Sequence, residues 1–183
     1  MTTIRFATPD DAPAIASIVV PLIRDTAINF HDEPPAAAAL ASRIEAGQAT
    51  HPWLVAVQGD AVVGYALSRE FGTMAGERWT TEVGLSIASG LRASGIGSRL
   101  YAALFSVLEA QGYRTLVAFI TVPNEASARL HLRFGFRKAG VLERSGWKLD
   151  RWHDTGWWQK LVGEPSAPTP IRPSHELAHM LAR

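Results

Sequence analysis

The chain has 183 residues, a formal net charge of +1 and no cysteine. That length makes one ordinary domain, able to bury roughly 70% of its unfolded surface. Balanced charge without a basic run argues against nucleic-acid binding, and the missing thiols exclude disulfides, a cysteine nucleophile and cysteine-held metals. Met1–Phe6 lacks a signal peptide's apolar core and no apolar run reaches membrane-spanning length, so the expectation is a soluble, cytoplasmic domain without a membrane partner.

Taken in order, Ile4–Ala7 reads as a short strand, and Thr8, followed by Asp10 and Asp11, as a helix start. The helix from Ala12 is expected to stop or bend at Pro21. Asp25–Pro35 is irregular, and Phe30 within it is either a core plug or a pocket wall. Ala36–Ala46 is an alanine-rich helix ended by Gly47. Trp53–Val57 and Ala61–Ser68 form a hairpin about Gln58-Gly59-Asp60, and Arg69–Arg78 is a loop.

Glu82-Val83-Gly84-Leu85-Ser86-Ile87 reads as a partly buried strand. A helix from Ser98 to Ala110 carries Leu100, Ala103, Leu104, Val107 and Leu108 on one face and closes at Gly112. Leu116–Ile120, a near-continuous apolar run, is a strand covered on both faces. A helix starts at Pro123-Asn124-Glu125 and ends by Gly135, with Phe136–Leu142 and Gly156–Val162 as final strands. Gly163–Pro173 carries four prolines and is extended or flexible, and a short helix follows in the last ten residues. The expected division is one domain over 1–163 and a proline-rich tail over 164–183.

Between the Glu82–Ile87 strand and the helix stands Arg92-Ala93-Ser94-Gly95-Ile96-Gly97. Two glycines let backbone N–H groups approach an anion, and the helix start at Ser98 adds its dipole. Neither GxxxxGK[ST] nor GxGxxG fits this stretch. The pattern R-x-x-G-x-G that does fit resembles the pyrophosphate loop of the GNAT superfamily of acetyl-CoA-dependent N-acetyltransferases; on its own it is equally an ordinary strand-to-helix turn.

The order of elements is also that of the GNAT superfamily. Pro52-Trp53-Leu54-Val55-Ala56, Trp79-Thr80-x-Glu82, Leu100-Tyr101, Ala110-Gln111-Gly112-Tyr113, Pro123-Asn124-Glu125-Ala126-Ser127, Arg129-Leu130-His131, Phe134-Gly135-Phe136, Gly146-Trp147-Lys148 and Arg151-Trp152-His153-Asp154 resemble the phosphinothricin N-acetyltransferase family, from about Ile4 to Leu161. The resemblance implies an α/β (α+β) GNAT fold, a mixed and mostly antiparallel sheet flanked by helices, with acetyl-CoA between splayed central strands.

It also implies Glu82 as general base, which takes the proton that keeps an amine from attacking a thioester. His131 would be a second catalytic or substrate-facing group. The backbone of Leu85, Ser86 and Ile87 would hold the pantetheine arm, while Arg92, Ala93, Ser94, Gly95, Ile96, Gly97 and Ser98 cradle the pyrophosphate. Asn124 would contact the pantetheine or thioester, or simply cap its helix. Phe30, Arg69 and Arg78 are substrate-side candidates, the substrate being a small amine, and transfer would be direct. No metal site is expected, since His131 has no second ligand at the usual spacing.

Where the family carries basic residues and a tyrosine that grip an acidic substrate, this chain has Gly72, Met74 and Glu77. That shifts the expected substrate toward a less anionic amino-acid-like amine. Trp147, Trp152, Trp157 and Trp158 either pack the core or line a dimer interface; the resemblance implies a homodimer. Two other functions stay open: a non-catalytic CoA-binding regulatory module, and a protein or peptide N-acetyltransferase.

Overall fold

The computed structural model describes residues 1–181. Seven strands form one sheet: β1 (Thr2–Phe6), β2 (Trp53–Gln58), β3 (Ala61–Glu70), β4 (Thr80–Ile87), β5 (Thr115–Val122), β6 (Arg137–Lys148) and β7 (Arg151–Leu161). Their spatial order is β1-β2-β3-β4-β5-β7-β6. All neighbours run antiparallel except β4 and β5, which are parallel. The long crossover between those two contains α3 (Ile96–Gln111), as a parallel pair requires.

Two helices, α1 (Ala12–Asp25) and α2 (Ala37–Gly47), cover one face through Ile15, Ile18, Leu40 and Ile44 against Val55 and Tyr65. On the other face α3 lays Leu100, Leu104 and Leu108 against Leu54, Ala66 and Leu116, joined there by α4 (Glu125–Arg133). The alternation of Leu54 and Val55 between the two cores is the period-two rule of strands.

Helix α1 corrects one expectation, since it runs through Pro21 to Asp25. Pro21 is exposed, so the Ser17 carbonyl that its missing N–H leaves free lies toward the solvent side, while Leu22 and Ile23, at 8% and 1% exposed, hold the last turn by burial. Tertiary packing outweighs the proline. A second correction concerns the final strands. These are not two short segments around 136–142 and 156–162 but one long hairpin turning at Leu149-Asp150, both left-handed (φ 51° and 56°). A two-residue turn of that kind usually announces itself with Asn or Gly, and neither stands here.

The proline-rich tail is extended, and it is docked. Thr169 accepts from the Trp79 indole N–H at 2.7 Å. The Arg172 N–H donates to the Gln111 carbonyl at 2.9 Å, and the Ser174 N–H to the Ala49 carbonyl at 2.8 Å. A 3-10 helix over Ser174–Leu181 then buries Leu177 to 3% exposure. Residues 182 and 183 of the expected terminal helix lie outside the described residues. Because Leu177 closes the core from outside the main chain path, Leu177→Ala should cost about 2–5 kcal/mol of stability, measured as a lowered urea midpoint with an unchanged slope.

Candidate active site

Strands β4 and β5 pair over three rungs only, Thr80↔Thr115, Thr81↔Leu116 and Glu82↔Val117. Beyond Glu82 they separate, although β4 continues to Ile87 and β5 to Val122. On its other edge β4 stays fully paired with β3 as far as Ile87↔Gly64. The backbone of Val83–Ile87 therefore presents one edge to a cleft rather than to a strand. Such an edge leaves backbone N–H and C=O groups in need of hydrogen-bonding partners. Leu85, Ser86 and Ile87 lie within this stretch.

The loop after β4 leads to the N-terminus of α3. Gly95, left-handed at φ 83°, is the N-cap and supplies no side-chain cap, so the first N–H groups of a sixteen-residue helix are open to an anion. A Cβ at Gly97 would come within 3.1 Å of Leu85, which is why the loop can lie so close to the cleft edge. Ala93 is also left-handed, at φ 65°. Ser98 accepts a long bond from Arg133 at 3.4 Å, and Arg92 lines a separate cleft of about 290 Å³ between α1 and the end of β4. The splayed edge and the open helix start together fit acetyl-CoA.

Glu82 occupies the last paired rung and is 15% exposed in its side chain. Its cross-strand neighbour on β3 is Arg69, whose Nη2 donates to Glu82 Oε1 while most of the guanidinium stays in solvent. Arg78 is not brought to Glu82. Its guanidinium lies 4.0 Å over the Trp79 ring and donates to the Ala75 carbonyl at 3.0 Å. The Glu77 carboxylate accepts from the Met74 N–H at 3.2 Å and folds over Gly72, whose φ of 69° and lack of Cβ make the room. The residues that break the family pattern thus form a turn of their own.

His131, on α4, is 4% exposed. Its Nδ1–H donates to the Ser127 carbonyl at 2.8 Å, so Nε2 is the acceptor for the Tyr101 hydroxyl at 3.2 Å. The ring is packed edge-on to Phe136 at 5.0 Å and Tyr101 at 5.3 Å. Burial pushes the His131 pKa below the usual histidine value, with the Ser127 carbonyl opposing. Tyr101 is pushed far up by burial and further by the Glu82 charge, which puts its hydroxyl in the field of the carboxylate. Tyr101 was not among the sequence candidates. Its signal is its place one turn beyond Gly97 on α3, inside the matched Leu100-Tyr101 dipeptide.

Asn124 is the N-cap of α4, accepting from the Ser127 N–H at 3.1 Å. It also lines a cleft of about 160 Å³ with Ile120, Val122, Lys138 and Trp158. Phe30 packs flat against Gly146, where any Cβ would strike its ring, and stands 6.1 Å from the His153 ring. Lys148 donates to the Asn29 and His31 carbonyls, both at 3.0 Å. Phe30, half-buried and outside both core clusters, thus ties the 26–36 segment to the β6–β7 hairpin. Among the described residues no group of three or more His, Asp or Glu could hold a metal, and no helix is long and apolar enough to cross a membrane.

A splayed parallel pair with an open helix start at its mouth leaves hydrogen-bonding groups for an extended, phosphate-bearing ligand. Residues 19–136 match the acetyltransferase (GNAT) family. The chain is 36% identical to a phosphinothricin N-acetyltransferase of Streptomyces viridochromogenes over 93% of each chain. It is 30% identical to an L-methionine sulfoximine/L-methionine sulfone acetyltransferase of Salmonella typhimurium, over 91% of this chain and 98% of that one. Among solved structures, a phosphinothricin acetyltransferase from Sinorhizobium meliloti in complex with acetyl-CoA superposes with a TM-score of 0.86 at 29% identity, over 92% and 93% of the two chains. A Salmonella typhimurium acetyltransferase with its cofactor acetyl-CoA gives 0.88 at 30%, over 92% and 98%. The chain belongs to the GNAT acetyltransferase family. It is an N-acetyltransferase, and acetyl-CoA is its co-substrate.

Burial of His131 sets a pH signature. With a folded-state pKa below the unfolded one, the folded chain refuses a proton that the unfolded chain accepts, so stability declines as pH falls below about 6.5. His51, lowered by burial against an opposing Glu70 charge, has the same sign. His131→Gln should remove one of these two contributions and make the fall in urea midpoint between pH 7 and 5 shallower. An unchanged slope would mean that His131 charges freely in the folded protein.

Proposed function

We propose that this enzyme acetylates the α-amine of a small amino acid or amino-acid analogue by direct transfer, with Glu82 as general base. The observation that carries the reading is the position of Glu82, a largely covered carboxylate on the last rung before the strands part. An amine entering the cleft meets it where the acyl end of a pantetheine arm lying along Leu85–Ile87 arrives. The carboxylate takes a proton from the ammonium, and the freed lone pair forms the C–N bond as the C–S bond breaks and the coenzyme A thiol departs. Backbone N–H groups of the open β4 edge polarise the thioester carbonyl. The Arg92–Ser98 loop holds the pyrophosphate and Asn124 the pantetheine side. His131 acts through Tyr101, since its two ring nitrogens are engaged by Ser127 and that hydroxyl.

The names of the relatives support amino-acid analogues as substrates, and the Gly72–Glu77 turn, which offers no cation, favours those less anionic than phosphinothricin. A panel of phosphinothricin, methionine sulfoximine, methionine sulfone, common amino acids and simple amines in a thiol-release assay decides the substrate. Glu82→Gln should lower turnover at neutral pH by 10²-fold or more while acetyl-CoA still binds, and the deficit should shrink at high pH where the amine deprotonates unaided. Equal turnover at neutral pH removes Glu82 as the base.

We also propose that the enzyme works as a homodimer through β6. This strand is twelve residues long, lies at the sheet edge and is almost wholly exposed. Trp147 and Trp152, 54% and 56% exposed, stand edge-on at 5.4 Å beside exposed Leu142 and Leu149. The exposed tryptophan pair at the tip of this hairpin forms an apolar surface that needs a cover. Trp158, by contrast, faces the core, while Trp157 lies half-buried on the opposite face of β7 beside Phe119. Trp147→Asp should halve the mass seen by light scattering at micromolar protein; a wild-type monomer would refute the dimer.

A further inference from the structure

We infer that Arg69 selects for amines that carry a neighbouring carboxylate, by leaving Glu82 for that carboxylate as the substrate enters. The inference rests on the reading of Glu82 as the base. In the structure the Arg69 guanidinium holds Glu82 Oε1 and engages a lone pair that would accept the proton. The two residues are direct cross-strand partners, and they differ sharply in exposure, 59% for Arg69 against 15% for Glu82. Arg69 therefore stands on the solvent side of the carboxylate, where a substrate must pass.

An ion pair with so exposed a member is weak and readily exchanged. A competing carboxylate can take the guanidinium by its two-pronged face. An α-amino acid carries its amine and its carboxylate two bonds apart, and Arg69 and Glu82 are two groups in contact, so the spacings match. The substrate's carboxylate draws Arg69 away while its ammonium takes the vacated place beside Glu82. A simple amine brings nothing to exchange and leaves the base engaged.

The surroundings give Arg69 this task alone. Within 69–79 the only other cation is Arg78, and it is turned onto Trp79 and the Ala75 carbonyl. Of the segment's two acids, Glu70 follows Arg69 on β3 and so takes the opposite face of the strand, and Glu77 is folded inward onto the Met74 N–H. Beyond the carboxylate site the segment offers half-buried Phe71 and exposed Met74, which suit a neutral side chain. The substrate class is thus an α-amino acid with an uncharged side chain.

The test compares methionine sulfone with its decarboxylated amine and with glutamate, using the full chain and thiol release from acetyl-CoA. The wild type should show kcat/KM at least 100-fold higher for methionine sulfone than for the amine, and should turn glutamate over poorly. Arg69→Gln should lose most of its kcat/KM on methionine sulfone through KM, while the amine improves because Glu82 is released, so that the ratio collapses toward one. Arg69→Lys, which keeps the charge without the fork, should fall between. Both variants are checked for wild-type melting and acetyl-CoA binding; if Arg69→Gln fails that check, the Arg69→Lys ratio decides. An equal loss on both amines, or a wild type that does not discriminate, overturns the exchange and leaves Glu82 as base untouched. A wild type that acetylates none of the three overturns the amino-acid reading and this inference with it.

Discussion

Parallel strands are held by evenly spaced, slanted hydrogen bonds, and two of them can separate only where the bonds they give up find other partners. In this protein β4 and β5 pair from Thr80 to Glu82 and then part, while each stays bonded on its far side, β4 to β3 and β5 to β7. The sheet is therefore continuous in both halves and open along a single seam. A wedge of unpaired backbone inside a packed domain is costly in isolation, so the seam makes sense as one half of a binding site. The glycine loop, the α3 N-terminus and the α4 N-cap gather at that seam because the crossover from β4 to β5 and the exit from β5 both begin there.

Around the seam the electrostatics are layered by depth. His131 and Tyr101 lie deepest and are held neutral by burial, joined to one another and to the Ser127 carbonyl. Glu82 lies above them, and Arg69 caps it toward solvent. A carboxylate placed over neutral hydrogen-bonding groups and under a solvent-exposed cation is screened from bulk water without being locked away from it. The Gly72–Glu77 turn alongside spends its acid on its own backbone, which leaves the local field to Arg69.

The docked tail has a structural logic of its own. Trp79 immediately precedes β4, and its indole is held by Thr169 on the tail while Arg78 covers its face. The Gln111 side-chain amide donates to the Thr50 and Arg172 carbonyls, linking the end of α3 with the α2–β2 connection and the tail. The start of β4 is thus braced by a residue 90 positions later in the chain.

Local chemistry fixed in the sequence most of what is local here. Apolar period and turn residues placed the β2–β3 hairpin, α3 with its glycine boundaries, the apolar β5 strand and the Asn124 start of α4. Motif order identified the family and, with it, Glu82 and the glycine loop as candidates. What the residues could not declare was anything settled by contacts between distant segments. Pro21 lies inside a helix because the burial of Leu22 and Ile23 outweighs one lost bond. The β6–β7 hairpin extends to Leu149-Asp150 without a turn signature because cross-strand pairing enforces left-handed backbone there. Phe30 meets the β6–β7 hairpin because Gly146, 116 positions later, leaves space for its ring. Arg69 reaches Glu82 while Arg78 does not, a distinction set by strand register and by the Trp79 ring, since a side chain's partner is chosen by the fold around it and not by its neighbours in the chain.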